Sequence, residues 1–330
     1  MKLTLFLLAV VAACCVSAAP QSDVKPTARY ITFIDEAGVE QTVDTEEEPD
    51  EDFLEELDKN DMNRYFLFTR NNPTTSQELI NGDAGTISQS NFNHNHITVF
   101  VVHGWISNQE SGLNPAIRDA FLSVGNYNVI VLDWGRLARR NYVTAARGVP
   151  LTGRRLGYFL NFLNSRTGVP FSRMHLVGFS LGAHLVGNAG REVGGRVARI
   201  SALDPAGPLW NLNSNRIRSS DAVYVEGMHT DGGLMLSLGI GSAIGDVDFF
   251  PNGGSNQPGC LTTSICSHNR AWRLFAATVS HNHLEGRQCS SSTQITLNTC
   301  RGGALKMGNA DMFKAGSGRY RANTGRRYPY

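Results

Sequence analysis

The sequence lacks the marks of most enzyme chemistries. It has no glycine-rich phosphate loop, no dinucleotide fingerprint and no paired-carboxylate pattern of the glycosidase kind, which argues against nucleotide-driven and glycosidic reactions. It has no internal repeat, no Pro/Ser-rich linker and no Asn-x-Ser/Thr sequon. The longest apolar run, residues 3–15, is too short to span a bilayer. Lys2 stands before it and Val16-Ser17-Ala18 after it, so residues 1–18 read as a signal peptide, and a secreted, extracellular protein is expected. Cysteine is scarce. Of the six, Cys14 and Cys15 would leave with the signal; Cys260, Cys266, Cys289 and Cys300 remain, an even set suited to an oxidising compartment. Pairing by proximity joins Cys260 to Cys266 and Cys289 to Cys300, one of three possible connectivities. Two His-x-His pairs, His94/His96 and His281/His283, have no third ligand beside them, so no metal and no cofactor is expected. No nucleic-acid partner is expected either.

Charge is unevenly spread. Residues 20–61 carry 15 acidic and 3 basic side chains, and residues 62–330 carry 14 acidic and 26 basic ones, so the net charge of +1 hides two opposed blocks. The acidic stretch is poor in apolar residues, and residues 19–62 are expected to be a disordered, solvated leader or a regulatory one. Residues 63–330 suffice for one α/β domain with a sizeable core.

What is present begins at residues 174–184, Met-His-Leu-Val-Gly-Phe-Ser-Leu-Gly-Ala-His. An apolar run ends in Gly-x-Ser-x-Gly and a helix-compatible segment follows, the context of a nucleophile elbow at Ser180. Gly178 and Gly182 fit a turn in which a Cβ would meet the neighbouring strand and helix. Around it, residues 64–69 alternate as a strand, and residues 97–102 and 129–132 are continuous apolar runs. Leu156, Phe159, Leu160 and Leu163 share one helical face, and residues 197–203 and 223–228 read as further strands. Strands alternating with helices predict a mostly parallel central sheet flanked by helices. His103, Ser180 and Asp204 all fall at carboxyl ends of its strands, where function belongs in such a sheet. Residues 231–246 read as a long glycine-rich loop, either folded onto the core or facing lipid, and residues 301–330 as a source of edge strands.

A serine needs a base, and the base an orienting group. Asp204 ends a strand before a Pro-Ala-Gly-Pro turn, which suits a carboxylate holding an imidazole. The order Ser, Asp, His leaves His229, His268, His281 and His283 as bases. His268 follows Cys266 closely and precedes a helical pattern from Ala271, and is the first choice; His229 is the second. Backbone donors for an oxyanion are expected from Leu181 and from the His103-Gly104-Trp105 loop, at Trp105.

These segments, with Asp248-Phe249-Phe250-Pro251-Asn252-Gly253-Gly254 and Cys266-Ser267-His268-Asn269-Arg270-Ala271, together resemble the pancreatic-type lipase family of α/β hydrolases, in particular insect secreted lipases and phospholipases A1. The resemblance implies an α/β-hydrolase fold and a Ser180, Asp204, His268 triad. It also implies oxyanion donors at Trp105 and Leu181, and a lid stapled by Cys260–Cys266. It implies a serine ester hydrolase acting on glycerolipid or phospholipid at a lipid interface. Three departures stand out. No C-terminal β-sandwich domain follows, so no colipase is expected. The lid, 261–265, is short, as in phospholipases A1, although the loop 231–246 is longer than theirs. Arg218 stands where a calcium-binding aspartate would be, with Asp221 and Arg216 retained. A rival from another class is a non-catalytic lipid carrier, because insect yolk proteins resemble the same family; an intact Ser180, Asp204 and His268 set speaks for the enzyme.

Overall fold

The protein is described by a computed structural model over residues 29–34, 39–233, 237–260 and 264–330. The expected signal peptide lies outside the described residues. Strands β1 (Tyr30–Ile34) and β2 (Glu40–Asp44) form an antiparallel hairpin in which Ile31 faces Val43 and Thr32 faces Thr42. Ile31 and Val43 are buried, while the two threonine hydroxyls meet 3.1 Å apart on the exposed side. Helix α1 (Glu51–Lys59) follows; its N-cap Asp50 accepts from the Phe53 N–H, and Glu51 and Asp52 sit in its first turn, where the helix dipole favours them. Phe53 and Leu57, one turn apart, are its buried face.

Among its described residues the leader is therefore folded, in β1, β2 and α1, against the expectation of disorder. Mean composition concealed this, because the apolar side chains of Ile31, Val43, Phe53 and Leu57 fall on the faces that meet the rest of the protein. The charged ones find partners there too.

After α1 the chain alternates strand and helix. Strand β3 (Arg64–Phe68) is followed by β4 (Gln77–Leu79), α2 (Ala84–Ser88), β5 (Ile97–Val102), α3 (Leu113–Val124) and β6 (Tyr127–Asp133). Helices α4 (Gly135–Ala138) and α5 (Tyr142–Thr167) lead to β7 (Met174–Phe179), α6 (Leu181–Glu192), β8 (Arg199–Leu203), β9 (Tyr224–Met228) and β10 (Val247–Phe249). Helix α7 (Ser264–His281), β11 (Glu285–Cys289), α8 (Ser292–Leu297), β12 (Ala304–Lys306) and β13 (Gly318–Ala322) complete the chain.

Among the described residues one sheet runs β12-β11-β13-β10-β9-β8-β7-β5-β6-β3-β4. It is parallel from β13 through β6 and antiparallel at both ends. The parallel strands are covered on both faces, which is why they read as unbroken apolar runs. Phe100, Val102, Ile130, Leu132 and Leu176 point to the side packed by α1, α5 and α6. Val99, Val101, Val129, Val131 and Val177 point to the side packed by α3 and α7. The C-terminal segment supplies an edge strand in β12, but β13 is interior, lying between β10 and β11. Among the described residues no helix is long and apolar enough to cross a membrane.

Candidate active site

The turn from β7 into α6 carries Ser180 at φ 57° and ψ −124°, a left-handed conformation that a non-glycine residue keeps only under constraint. The constraint is visible. The Ser180 N–H donates to Leu203 O at 3.0 Å. A Cβ on Gly178 would lie 2.3 Å from Gly182 O, and one on Gly182 would lie 2.4 Å from His103 O. Those two glycines let helix and strands close around the serine, as expected.

Asp204 terminates β8 with no exposure and at φ 40°. Its Oδ1 accepts from the backbone N–H groups of Thr230 (2.7 Å) and Asp231 (3.0 Å), and its Oδ2 accepts from His268 Nδ1 at 2.6 Å. A carboxylate can only accept, so Nδ1 carries the proton and Nε2 is the basic nitrogen of the neutral ring. The imidazole packs against Phe179, ring centres 4.5 Å apart. His268 lies within α7, as does Cys266, because that helix begins at Ser264 and not near Ala271. Its first turns face the site and carry polar residues, so their periodicity is not that of a core helix.

Ser180 and His268 line one cavity of about 320 Å³, otherwise walled mainly by apolar side chains such as Phe33, Trp105, Leu238 and Trp272. The N–H of Leu181 is at the first residue of α6, where no intrahelical acceptor exists. On the facing loop a Cβ on Gly104 would stand 3.0 Å from Ser180 Cβ, so glycine lets that loop approach the serine. Trp105 follows at the cavity wall, its indole N–H donating to Arg140 O at 2.8 Å. His103, fully buried, braces the loop from behind. Its Nδ1 lies 3.0 Å from Gly104 O, its Nε2 lies 3.2 Å from Asp133 Oδ1 and 3.3 Å from Trp134 N, and its ring stacks on Trp134.

His229 is not in the cavity. Its Nε2 lies 2.8 Å from Asp248 Oδ1 and its Nδ1 2.7 Å from Ile240 O, so both nitrogens face acceptors. Burial opposes its charge, but the Asp248 carboxylate outweighs it and holds the imidazole above its ordinary pKa. Its strand β9 leads into Thr230 and Asp231, whose amides hold Asp204. His184 is likewise buried and doubly bonded, to Ala206 O and Ile217 N–H, and burial pushes its pKa down to about 3.

Two neighbours of Asp204 escaped the sequence. Asp231 is 4% exposed and accepts from Leu238 N–H; burial and then the charge of Asp204 raise its pKa to about 8. Gly239, in the glycine-rich loop, closes over the same carboxylate. That loop packs inward through Ile240 and Ile244, both buried; residues 234–236 lie outside the described ones.

Both disulfides have the proximal pairing, Cys260–Cys266 and Cys289–Cys300. Of the short lid, residues 261–263 lie outside the described residues. The carboxylate of Asp221 is held by Arg191 through two hydrogen bonds of 3.0 Å and by Arg218 N–H. Among the described residues no three His, Cys, Asp or Glu side chains gather as a metal would require; His281 bonds Tyr328 OH and His283 bonds Pro329 O.

The family model described as Lipase matches residues 30–330. Human pancreatic triacylglycerol lipase is 34% identical over 274 residues, 74% of this chain and 59% of that protein. Pancreatic lipase-related protein 2 of Rattus norvegicus is 33% identical over 280 residues, 76% of this chain and 60% of that one. The Bos taurus protein of that name is 34% identical over 279 residues, with 76% and 60% covered. The chain thus spans about three fifths of the length of the curated relatives it matches.

Proposed function

The chain belongs to the lipase family, and from that membership we propose that it is a serine carboxylic ester hydrolase that cleaves fatty-acyl esters of glycerolipids. The observation that carries the reading is the 2.6 Å bond from His268 to Asp204, with His268 and Ser180 on one apolar cavity.

In this reading Ser180 Oγ attacks the ester carbonyl carbon as its proton passes to His268 Nε2. Asp204, desolvated and fixed by two backbone amides, steadies the imidazolium through Nδ1. The carbonyl oxygen becomes an oxyanion facing the N–H groups of Leu181 and Trp105, a term worth on the order of 3 kcal/mol per donor in related sites. Collapse breaks the ester C–O bond, the His268 proton goes to the departing alcohol, and an acyl-Ser180 ester remains. Water, deprotonated by His268, repeats the sequence and releases the fatty acid.

The short span between Cys260 and Cys266 supports a phospholipase A1-type substrate, while the relatives' names support triacylglycerol. Secretion is part of the proposal, on the apolar residues 3–15 and the two disulfides. Purified protein given labelled triacylglycerol and labelled phosphatidylcholine, with a fluorophosphonate probe in parallel, tests it. Release of fatty acid from either, with the probe on Ser180, supports an ester hydrolase and names its lipid. No release and no labelling leaves a lipid carrier.

A further inference from the structure

The hairpin β1–β2 presents one apolar face and one polar face, and the apolar face is turned to the cavity of Ser180. Ile31, Phe33 and Val43 line that cavity, and Ile31 and Val43 sit directly opposite one another in the ladder. On the other face Tyr30 is 55% exposed and the Thr32 hydroxyl meets that of Thr42 across the strands. Ile31 is nevertheless only 2% exposed. Most of its surface packs on protein and only its edge borders the cavity, whereas Phe33 is only partly buried there.

An isolated two-stranded hairpin is marginal in water, so something else must hold this one in place. Phe33 packs its ring edge against Trp105, centroids 6.2 Å apart. β1 also lies against α7, Ile31 and Val43 join the main core, and the chain after the hairpin is tied down at α1. Phe53 and Leu57 are buried there, and the Asp50 N–H donates to Thr144 Oγ1 on α5. Asp50, Glu51 and Glu56 pair with Arg140, Arg147 and Arg136. The hairpin is thus held by α7 and Trp105 as well as through the helix that follows it, and the partly buried Phe33 is the side chain that offers the cavity most apolar surface. An aliphatic chain is the chemistry that such a face and the facing Trp105 and Leu238 accept.

We propose that this hairpin is a wall of the acyl-binding cavity, with Ile31, Phe33 and Val43 in contact with the acyl chain of the bound ester and Phe33 setting how strongly long chains are preferred over short ones. The inference rests on the ester-hydrolase reading for the identity of the ligand. It adds a substrate-contacting segment some 150 residues upstream of the nucleophile.

The test compares Phe33→Ala, Phe33→Leu and Tyr30→Ala in the full chain. The readouts are kcat/KM on dodecanoyl and butanoyl p-nitrophenyl esters and, separately, equilibrium binding of dodecanoate. Loss of the Phe33 ring should lower long-chain kcat/KM and weaken dodecanoate binding roughly tenfold, with butanoyl turnover changed less than about twofold. Phe33→Leu should fall between, and Tyr30→Ala should match the wild type. Equal effects on both esters, or none at either, overturn the wall. Dodecanoate binding that depends on Phe33 in a protein hydrolysing no ester would keep the wall and sink the Ser180 chemistry. Normal hydrolysis without the chain-length contrast would do the reverse.

Discussion

Gly239 stands against the carboxylate of Asp204: a methyl group in place of its hydrogen would lie 2.5 Å from Oδ2 and 2.6 Å from Oδ1. No side chain of any size fits there without moving the group that orients His268. Gly239→Ala should therefore reduce kcat by roughly tenfold or more, since small displacements of a positioned group are costly, and should lower Tm only modestly. Gly233→Ala, whose Cβ would meet Ser255 at an ordinary 3.5 Å, is the matched control in the same loop and should leave activity intact. If both variants behave alike, the close approach is not what matters.

The two buried histidines should separate cleanly. His268→Ala should abolish turnover by several orders of magnitude while Tm changes little, as removal of a triad base does. His229→Ala should act mainly on stability, because it leaves the buried Asp248 carboxylate only the backbone N–H groups of Ile244 and Gly245, a loss on the order of 3 kcal/mol. Paired ester assays and thermal melts decide between them. An inactive but stable His229 variant beside an active His268 variant would reverse the roles.

Asp231 gives the fold a pH dependence. In the unfolded chain this carboxyl releases its proton near 3.8; in the folded protein burial and Asp204 raise its pKa to about 8. The folded state therefore binds the extra proton between those values, and its contribution to stability is full below the lower one and lost as pH rises through the upper. Tm should fall as pH rises from about 4 to about 8 and level off above that, and Asp231→Asn should flatten the decline. An unchanged slope in the variant would assign the decline to other groups.

The acidic helix α1 screens arginines of the body. Arg136, Arg140 and Arg147 pair with Glu56, Asp50 and Glu51 across half-exposed contacts, each worth well under about 1 kcal/mol to stability. Near an anionic bilayer the same three cations would count for more, about 1 kcal/mol each. The triple variant Asp50→Asn, Glu51→Gln, Glu56→Gln should bind phosphatidylserine vesicles more than about tenfold more tightly at low salt. The gain should fade as ionic strength rises. Equal binding by variant and wild type would show these arginines to be remote from the docking face.

The grouping of Ser180, Asp204 and His268, proposed as catalytic, was legible because each part has a local signature. Ser180 sits between glycines at the end of an apolar strand, Asp204 ends the next strand, and His268 follows a disulfide cysteine. The parallel strands were legible because double-sided burial leaves no polar alternation to confuse them. The hairpin was not, since Ile31, Phe33 and Val43 are three apolar residues within an acidic stretch, and composition averages over them. Their alternation with Thr32 and Thr42 was the available signal. Asp231 and Gly239 were beyond reach for another reason. What singles them out is their distance from Asp204, which loop closure sets and no period encodes.

The strand β13 lies between β10 and β11, pairing in parallel with Val247–Phe249 on one side and antiparallel with Glu285–Cys289 on the other. A nascent chain therefore reaches the end of β11 with the place between it and β10 still empty. Until residues 318–322 emerge from the ribosome, both neighbours offer unpaired backbone edges, open to strands of other molecules. Biosynthetic yield should then depend on how quickly β13 docks, and loss of residues 318–322 would give insoluble protein although every residue around Ser180 is intact.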